Sequence, residues 1–295
     1  MIEPRGARRV GVVAKSASAD AAGVARELVE WLGRRGLEVL VEPGTARESG
    51  ASGDEPLAPG ARCDLVVVLG GDGTLLSVAR KAAGGPPILG VNLGRLGFLT
   101  EVARDDLYPV LVEVLSGHYA VEPRSLLEVE QTKPGGERLA YRALNDVVVA
   151  KSALSRMIEL LLTVDGRLVA RYRADGLVVS TPTGSTAYNL SAGGPILHPL
   201  LPVSVLTPIC PHTLTLRPLV VPDTSVIEVG IEAREDAPES RADRVYLTVD
   251  GQEGGEISFG DRVRVTRAAQ PAYLVRTGER SSIFEGLRNK LHWGE

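Results

Sequence analysis

Gly70-Gly71-Asp72-Gly73-Thr74 sets one carboxylate among three glycines, where an apolar run gives way to helical spacing. Leu65–Leu69 is continuous and Val-rich, the pattern of a strand buried in a parallel sheet. Leu75–Ala83 then carries apolar residues at helical spacing. Strand, glycine turn and helix together present backbone N–H groups to a phosphate at the helix N-terminus. A carboxylate there repels phosphate unless a metal or a proton transfer employs it. Asp72 therefore reads either as a proton acceptor beside a phosphate or as a cap on the following helix.

Three further segments have chemistry in their residue types. Asn145-Asp146 opens an apolar strand. The pair is either a turn or an adenosine reader, the amide on an adenine edge and the carboxylate on a ribose hydroxyl. Thr181–Ser191 gathers five Ser and Thr hydroxyls and a glycine into a strand-to-helix corner. It reads as a helix capped by Thr183 or Ser185, or as a polar binding corner. Asp250-Gly251-Gln252 has turn chemistry and needs no function as a hairpin. A Walker loop with its lysine and the G-x-G-x-x-G dinucleotide fingerprint are both missing from the chain. The four histidines have no metal-ligand spacing.

The elements that must position these residues divide in two. Up to about Tyr119 strands and helices alternate: strand Arg9–Ala14, helix Ala21–Arg35, strand Leu37–Val41, the 64–69 strand and its helix, strand Pro87–Val91, and a helix near Asp105–Leu115 capped by Asp105. Glu42–Arg62 is rich in Gly, Ala, Ser, Pro and Glu and reads as a mobile loop. Beyond Tyr119 come short strand-like runs with Gly and Pro turns, broken by one helical stretch near Ser185–Leu190 and a terminal helix at Ser281–Leu291. The expected fold is an α/β N-terminal domain with a parallel sheet (1–118), an all-β, sandwich-like domain (119–270), and a tail helix (271–295) packing back on the first domain. A net charge of −4 argues against nucleic acid or an anionic membrane as the main partner. No apolar run reaches the roughly 20 residues of a spanning helix. The N-terminus lacks a signal-peptide pattern, and Cys63 and Cys210 suit buried thiols, so a cytoplasmic protein is expected.

Read in order, GGDGT (70–74), LGRLGFL (93–99), LND (144–146), RADGLVVSTPTGSTAYNLSAGGPILHP (173–199), CPHTL (210–214), RPLV (217–220) and DGQ (250–252) resemble the NAD kinase family. GGDGT alone is shared with lipid kinases and phosphofructokinases; the STPTGSTAY block is far more specific. Two departures are small: Asp146 stands where Glu is common, and Leu99 where some members carry an aromatic residue.

The resemblance implies transfer of the ATP γ-phosphate to the adenosine ribose 2′-hydroxyl of NAD, giving NADP, with Asp72 as general base. Phosphoryl transfer is mostly positioning and charge neutralisation, so a carboxylate that orients the hydroxyl and takes its proton late suffices. Gly70, Gly71, Gly73 and Thr74 would face the donor phosphates, with Mg²⁺ carried on the ATP rather than held by protein ligands. NAD would be bound by Asp72, Gly73, Phe98, Asn145, Asp146, Arg156, Arg173, Asp175, Thr183, Thr186, Ala187, Tyr188, Asn189, Leu190, Ser191 and Gln252. Partners would be NAD and ATP, with polyphosphate as an alternative donor, in a homodimer or homotetramer. Arg173 has two readings: a surface pair with a neighbouring acid, or a group that orders Asp175 on the nicotinamide side and so favours NAD over NADH. Rival functions are a lipid kinase of the diacylglycerol or sphingosine type and a non-catalytic dinucleotide sensor.

Overall fold

Strand Leu65–Gly70 is buried along its whole length, as its unbroken apolar sequence requires, and it lies at the centre of a seven-stranded sheet. This computed structural model describes residues 6–52, 63–94, 97–152, 157–213, 215–232, 244–277 and 283–292. The chain forms two units, Met1–Pro123 with Pro271–Glu295, and Arg124–Gln270.

In the first unit the sheet runs Glu38–Val41, Arg9–Ala14, Leu65–Gly70, Ile88–Asn92, Ala272–Arg276, Ala120–Arg124, with Val102–Ala103 pairing off Ile88–Asn92. The register from Glu38–Val41 through Ile88–Asn92 is parallel, and Leu274 pairs parallel with Ile88. Helix Ala19–Gly33 starts at Ser18, whose side chain accepts from the Ala21 N–H. Its Ala25, Leu28 and Leu32 face Val10, Val12, Val67 and Leu69 in one core. The helix Asp72–Lys81 follows the glycine turn directly.

Two local expectations fail here. Part of the expected loop after Glu42 is a helix, Pro43–Ser49. Glu42 accepts from the Thr45 N–H at 2.8 Å, Pro43 sits in the first turn, and Gly50 at φ +75 closes the end. Residues 53–62 of that expected loop lie outside the described residues. Asp105 does not cap the next helix: it sits inside a 3₁₀ turn, Arg104–Asp106, ahead of Leu107–Leu115, and neither element has a side-chain cap.

The second unit holds two six-stranded sheets with antiparallel pairing. One runs Arg167–Ala174, Ile158–Val164, Ile227–Glu232, Arg262–Arg267, Leu127–Thr132, Arg138–Ala143. The other runs Leu219–Pro222, Val203–Ile209, Gly176–Ser180, Asp146–Lys151, Val245–Val249, Glu253–Ile257. Leu160, Val229 and Val265 of the first join Val147, Val149 and Leu247 of the second in one core, which makes this a sandwich. The α/β unit and the antiparallel sandwich are the fold class that the sequence predicts. The polar corner after Gly176–Ser180 is two short pieces, a 3₁₀ turn Thr183–Thr186 and a helical turn Tyr188–Ser191.

Candidate functional site

Asp72 is the first residue of its helix, and Gly71 is the N-cap without a side-chain bond, so the carboxylate does not cap. It turns instead to the segment that follows Ile88–Asn92. Oδ2 accepts from the Phe98 N–H at 2.7 Å; Oδ1 accepts from the Leu99 and Thr100 N–H groups at 3.1 and 3.0 Å and from the Thr100 hydroxyl at 2.9 Å. The Thr100 hydroxyl also receives the Asn92 amide at 2.8 Å, and Asn92 Oδ1 accepts from the Gly94 N–H at 2.7 Å. Thr100 and Asn92 are buried, so this chain of bonds fixes the acid from behind. Gly97 is required at this approach, because a Cβ there would overlap the Asp72 carboxylate.

The glycine loop has a similar steric demand. A Cβ on Gly70 would lie within 3.3 Å of Lys15 Cβ and would also clash with Thr74. Lys15 follows the first strand, and its N–H donates to the Leu69 carbonyl at 2.8 Å. At the first turn of the helix the Thr74 and Leu75 N–H groups donate back to the Gly71 carbonyl at 3.0 and 3.2 Å.

In the second unit Asp250 decides the shape of the Asn145-Asp146 turn. Its carboxylate accepts from the Leu144, Asn145 and Asp146 N–H groups at 3.0, 2.7 and 3.1 Å, while its own N–H donates to the Asp146 carbonyl at 2.9 Å. Asp250 takes a left-handed φ of +50, followed by Gly251 at +66. The backbone of the turn is thus satisfied by Asp250, and by Thr181, whose N–H donates to the Asn145 carbonyl at 2.9 Å and whose hydroxyl donates to the Leu144 carbonyl at 2.6 Å. The Asn145 amide and the Asp146 carboxylate receive no partner from the described residues. Asp146 is only 3% exposed, and burial, then the nearby Asp250 charge, push its pKa up to about 7.

The hydroxyl-rich corner is built by its own side chains. The Thr181 hydroxyl accepts from the Gly184 N–H at 3.1 Å. The Ser185 hydroxyl donates to the Pro182 carbonyl at 2.6 Å and accepts from the Leu197 N–H at 3.0 Å. Neither Thr183 nor Ser185 is an N-cap, because Pro182 and Ala187 hold the cap positions. Buried Thr183 meets Arg124 at 3.4 Å, and the Thr186 hydroxyl reaches the Thr183 carbonyl at 3.5 Å. Asn189 faces inward. It is wholly buried, its amide donates to the Ser185 and Pro195 carbonyls at 3.1 Å each, and its oxygen accepts from Thr207 at 2.6 Å. With both amide hydrogens and its oxygen engaged inside the fold, the side chain braces the corner. Ala187 and Leu190 are half-buried beside it, Tyr188 and Ser191 are exposed, and Gln252 is exposed on the turn after Asp250.

Arg173 also departs from its functional reading. It pairs with Glu159 at 3.6 Å, directly across the antiparallel ladder, while Asp175 pairs with Lys151 at 3.5 Å. Arg173 therefore does not order Asp175, and the proposed route to a preference for NAD over NADH is missing. Arg156 lies outside the described residues. Sequence reasoning passed over Asp250 as a hairpin acid and missed Asn92, Thr100, Lys15 and Lys151. The one available signal was position: Lys15 ends an apolar strand, and carboxyl ends of parallel strands are where open α/β sheets bind ligands.

Residues 10–119 match the family model of the ATP-NAD kinase N-terminal domain, and residues 144–277 that of the ATP-NAD kinase C-terminal domain. The NAD kinases of Geotalea daltonii and Geobacter sulfurreducens are each 48% identical to this chain, with 98% of it and 99% of each relative covered. Among solved structures, yeast NADH kinase complexed with NADH superposes with a TM-score of 0.84 at 28% identity, over 98% of this chain and 88% of that one. An NAD kinase from Archaeoglobus fulgidus in complex with ATP gives 0.72 at 29% identity, over 96% and 98%. With a glycine loop around a fixed acid in one unit, an Asn-Asp turn held by Asp250 in the other, and near full-length matches to these relatives, the chain belongs to the NAD kinase family and is an enzyme, a kinase.

Proposed function

We propose that the protein phosphorylates NAD at the adenosine ribose 2′-hydroxyl, using ATP and yielding NADP and ADP. The observation that carries the reading is the turn held by Asp250, which satisfies its backbone internally and leaves an amide and a carboxylate for a ligand. Asn145 offers a donor and an acceptor to an adenine edge, and Asp146 accepts from a ribose hydroxyl. Thr183 and Thr186 flank the base, with Phe98 and Leu99 as apolar cover. Gly70, Gly71, Gly73 and Thr74 take the donor phosphates. In the reaction the 2′-oxygen bonds to the γ-phosphorus as the bond from that phosphorus to the ADP oxygen breaks. The hydroxyl proton passes to Asp72 and then to solvent. Among the described residues no three His, Cys, Asp or Glu side chains gather to hold an ion. A Mg²⁺ arriving on ATP would neutralise phosphate charge.

The test is incubation with ATP, Mg²⁺ and NAD, read by an NADP-specific dehydrogenase. NADP formation supports the reading. Phosphorylation of sphingosine or diacylglycerol instead would make it a lipid kinase, and NAD binding without turnover would make it a sensor.

Asp146 gives the reading a pH signature. Its folded pKa of about 7 lies above the roughly 4 of an unfolded Asp, so the folded state keeps a proton that the unfolded state loses. The stability contributed is complete below about pH 4 and is lost as pH rises through 7. Asp146→Asn should therefore leave stability unchanged at pH 4 and raise it by about 2–4 kcal/mol at pH 8. The same variant should raise the NAD KM, since an amide replaces the ribose acceptor. Urea titrations at both pH values check the first claim and NAD kinetics the second; equal stabilities at pH 8 would refute the buried charge.

The working form is proposed to be a homodimer or homotetramer in the cytoplasm. Among the described residues no helix is long and apolar enough to cross a membrane. Leu219 and Val220, on the edge strand of the second sandwich sheet, are 40% and 43% exposed, and Leu200 and Leu201 nearby in sequence to its partner strand are 54% and 43% exposed. Exposed apolar side chains on an unpaired edge favour association. Sedimentation over a dilution series, run beside activity, should show activity falling as the assembly dissociates; a fully active monomer would overturn this.

A further inference from the structure

The glycine loop carries no lysine, yet the terminal helix brings one to the segment that holds its acid. Helix Ile283–Leu291 buries Leu287, and the ammonium of Lys290 lies 4.8 Å from the centroid of the Phe98 ring. Gly286, one turn earlier, is in van der Waals range of the same ring, 3.8 Å from a Cβ position to the ring carbons. Phe98 is the residue whose N–H binds Asp72 Oδ2. The helix thus closes over the segment that fixes the acid.

The charges around Lys290 are already matched with one another. Arg276 pairs with Glu101 and, at 2.6 Å, with Glu122. Asp72 is occupied by three N–H groups and a hydroxyl. No carboxylate among the described residues comes within ion-pair distance of Lys290. Its pKa is lowered by burial, against an upward pull from Asp72 and Glu101 and a further downward push from Arg276. A half-buried ammonium resting on a ring face, with no carboxylate of the described residues on its three donors, is poorly compensated by them and suits an anion.

We propose that Lys290 is the protein's cation for the transferring phosphoryl group, the role a P-loop gives to a lysine inside its own loop. The inference rests on the reading that the Gly70–Thr74 loop receives donor phosphates. The terminal helix is then part of the donor site rather than a packing element. A lysine suits the position because a compact ammonium can approach a phosphoryl oxygen beside Asp72 without the breadth of a guanidinium. In phosphoryl transfer such a charge acts on the equatorial oxygens while the proton goes to the acid, so no proton leaves Lys290.

The test compares wild type, Lys290→Met and Lys290→Arg. Isothermal titration with magnesium tripolyphosphate, without NAD, reads the donor site alone; kinetics read ATP and NAD separately. The expected result for Lys290→Met is about 10–100-fold weaker tripolyphosphate binding and a similar fall in kcat/KM for ATP. The NAD KM should stay within about twofold and the melting temperature nearly unchanged, with partial recovery in Lys290→Arg. Unaltered tripolyphosphate affinity would overturn the proposal. So would a drop in melting temperature with equal losses toward ATP and NAD, which would make Lys290 a structural strap. If the wild type makes no NADP yet loses tripolyphosphate binding on Lys290→Met, the NAD reading fails while this inference stands.

Discussion

Asp72→Asn is expected to lower kcat by about 10²–10⁴-fold, the usual cost of removing a general base. The structure makes the interpretation sharper than a simple loss of a proton acceptor. An amide retains one oxygen for the Leu99 and Thr100 donors at Oδ1, but its NH₂ would face the Phe98 N–H that Oδ2 now accepts. A cost of about 1–3 kcal/mol in local stability should accompany the kinetic loss. Gly97→Ala separates the two effects. It keeps the acid but drives a methyl group into the carboxylate, so it displaces Asp72 without removing it. If Asp72 is the base, both variants should be slow, and only Gly97→Ala should leave slow turnover that still depends on an intact acid, seen as a further loss in the double variant. Near-full kcat in Asp72→Asn would make the carboxylate a loop anchor and nothing more.

Asp250→Ala should be the most damaging single change in the sandwich unit. Three N–H groups, those of Leu144, Asn145 and Asp146, lose their common acceptor in a mostly buried turn. Each unsatisfied donor costs about 1–3 kcal/mol, and non-additivity among neighbours brings the expected total to about 3–5 kcal/mol. NAD affinity should fall further than stability alone explains, since the Asn145 amide and the Asp146 carboxylate are aimed by that turn. Asp250→Asn keeps one acceptor oxygen and should fall between. Urea denaturation beside calorimetric NAD titration checks this; an unchanged midpoint would mean that the turn holds its shape without Asp250.

Much of this was legible where chemistry is local. Strands Arg9–Ala14, Arg138–Ala143, Ile158–Val164 and Val245–Val249 fall where their apolar patterns place them. Asp72 stands out because an acid among the glycines of a strand-turn-helix corner contradicts the charge preference of loops that bind phosphate. What escaped depends on partners distant in sequence. Glu253–Ile257 contains two glycines and has little strand character of its own; it is a strand because Val245–Val249 pairs with it. Ala120–Arg124 contains a proline and reads like the start of the β-rich part, but it belongs to the first sheet. Asp250 looks like a turn residue, and its three acceptor bonds span more than 100 positions of chain. Of the two readings of Arg173, the pair with a neighbouring acid is the one seen, but which acid it is depends on strand register, with Glu159 opposite, rather than on the nearby Asp175.

The order of strands in the first sheet also bears on how the protein is made. Ala272–Arg276 occupies an interior position, between Ile88–Asn92 and Ala120–Arg124, while the whole sandwich separates it in sequence from Ala120–Arg124. A ribosome delivers the first 123 residues early, yet the sheet they form has a vacant lane until Ala272–Arg276 emerges. The sandwich, by contrast, has its full complement of strands as soon as residue 270 is out. Synthesis therefore reverses the usual N-terminal-first order: the inserted unit is free to finish first, and the glycine-loop unit waits with two open strand edges. The same lane ties the first sheet to translation of Ala272–Arg276, so a chain stopped before Ala272 would have a complete sandwich and an unfinished kinase.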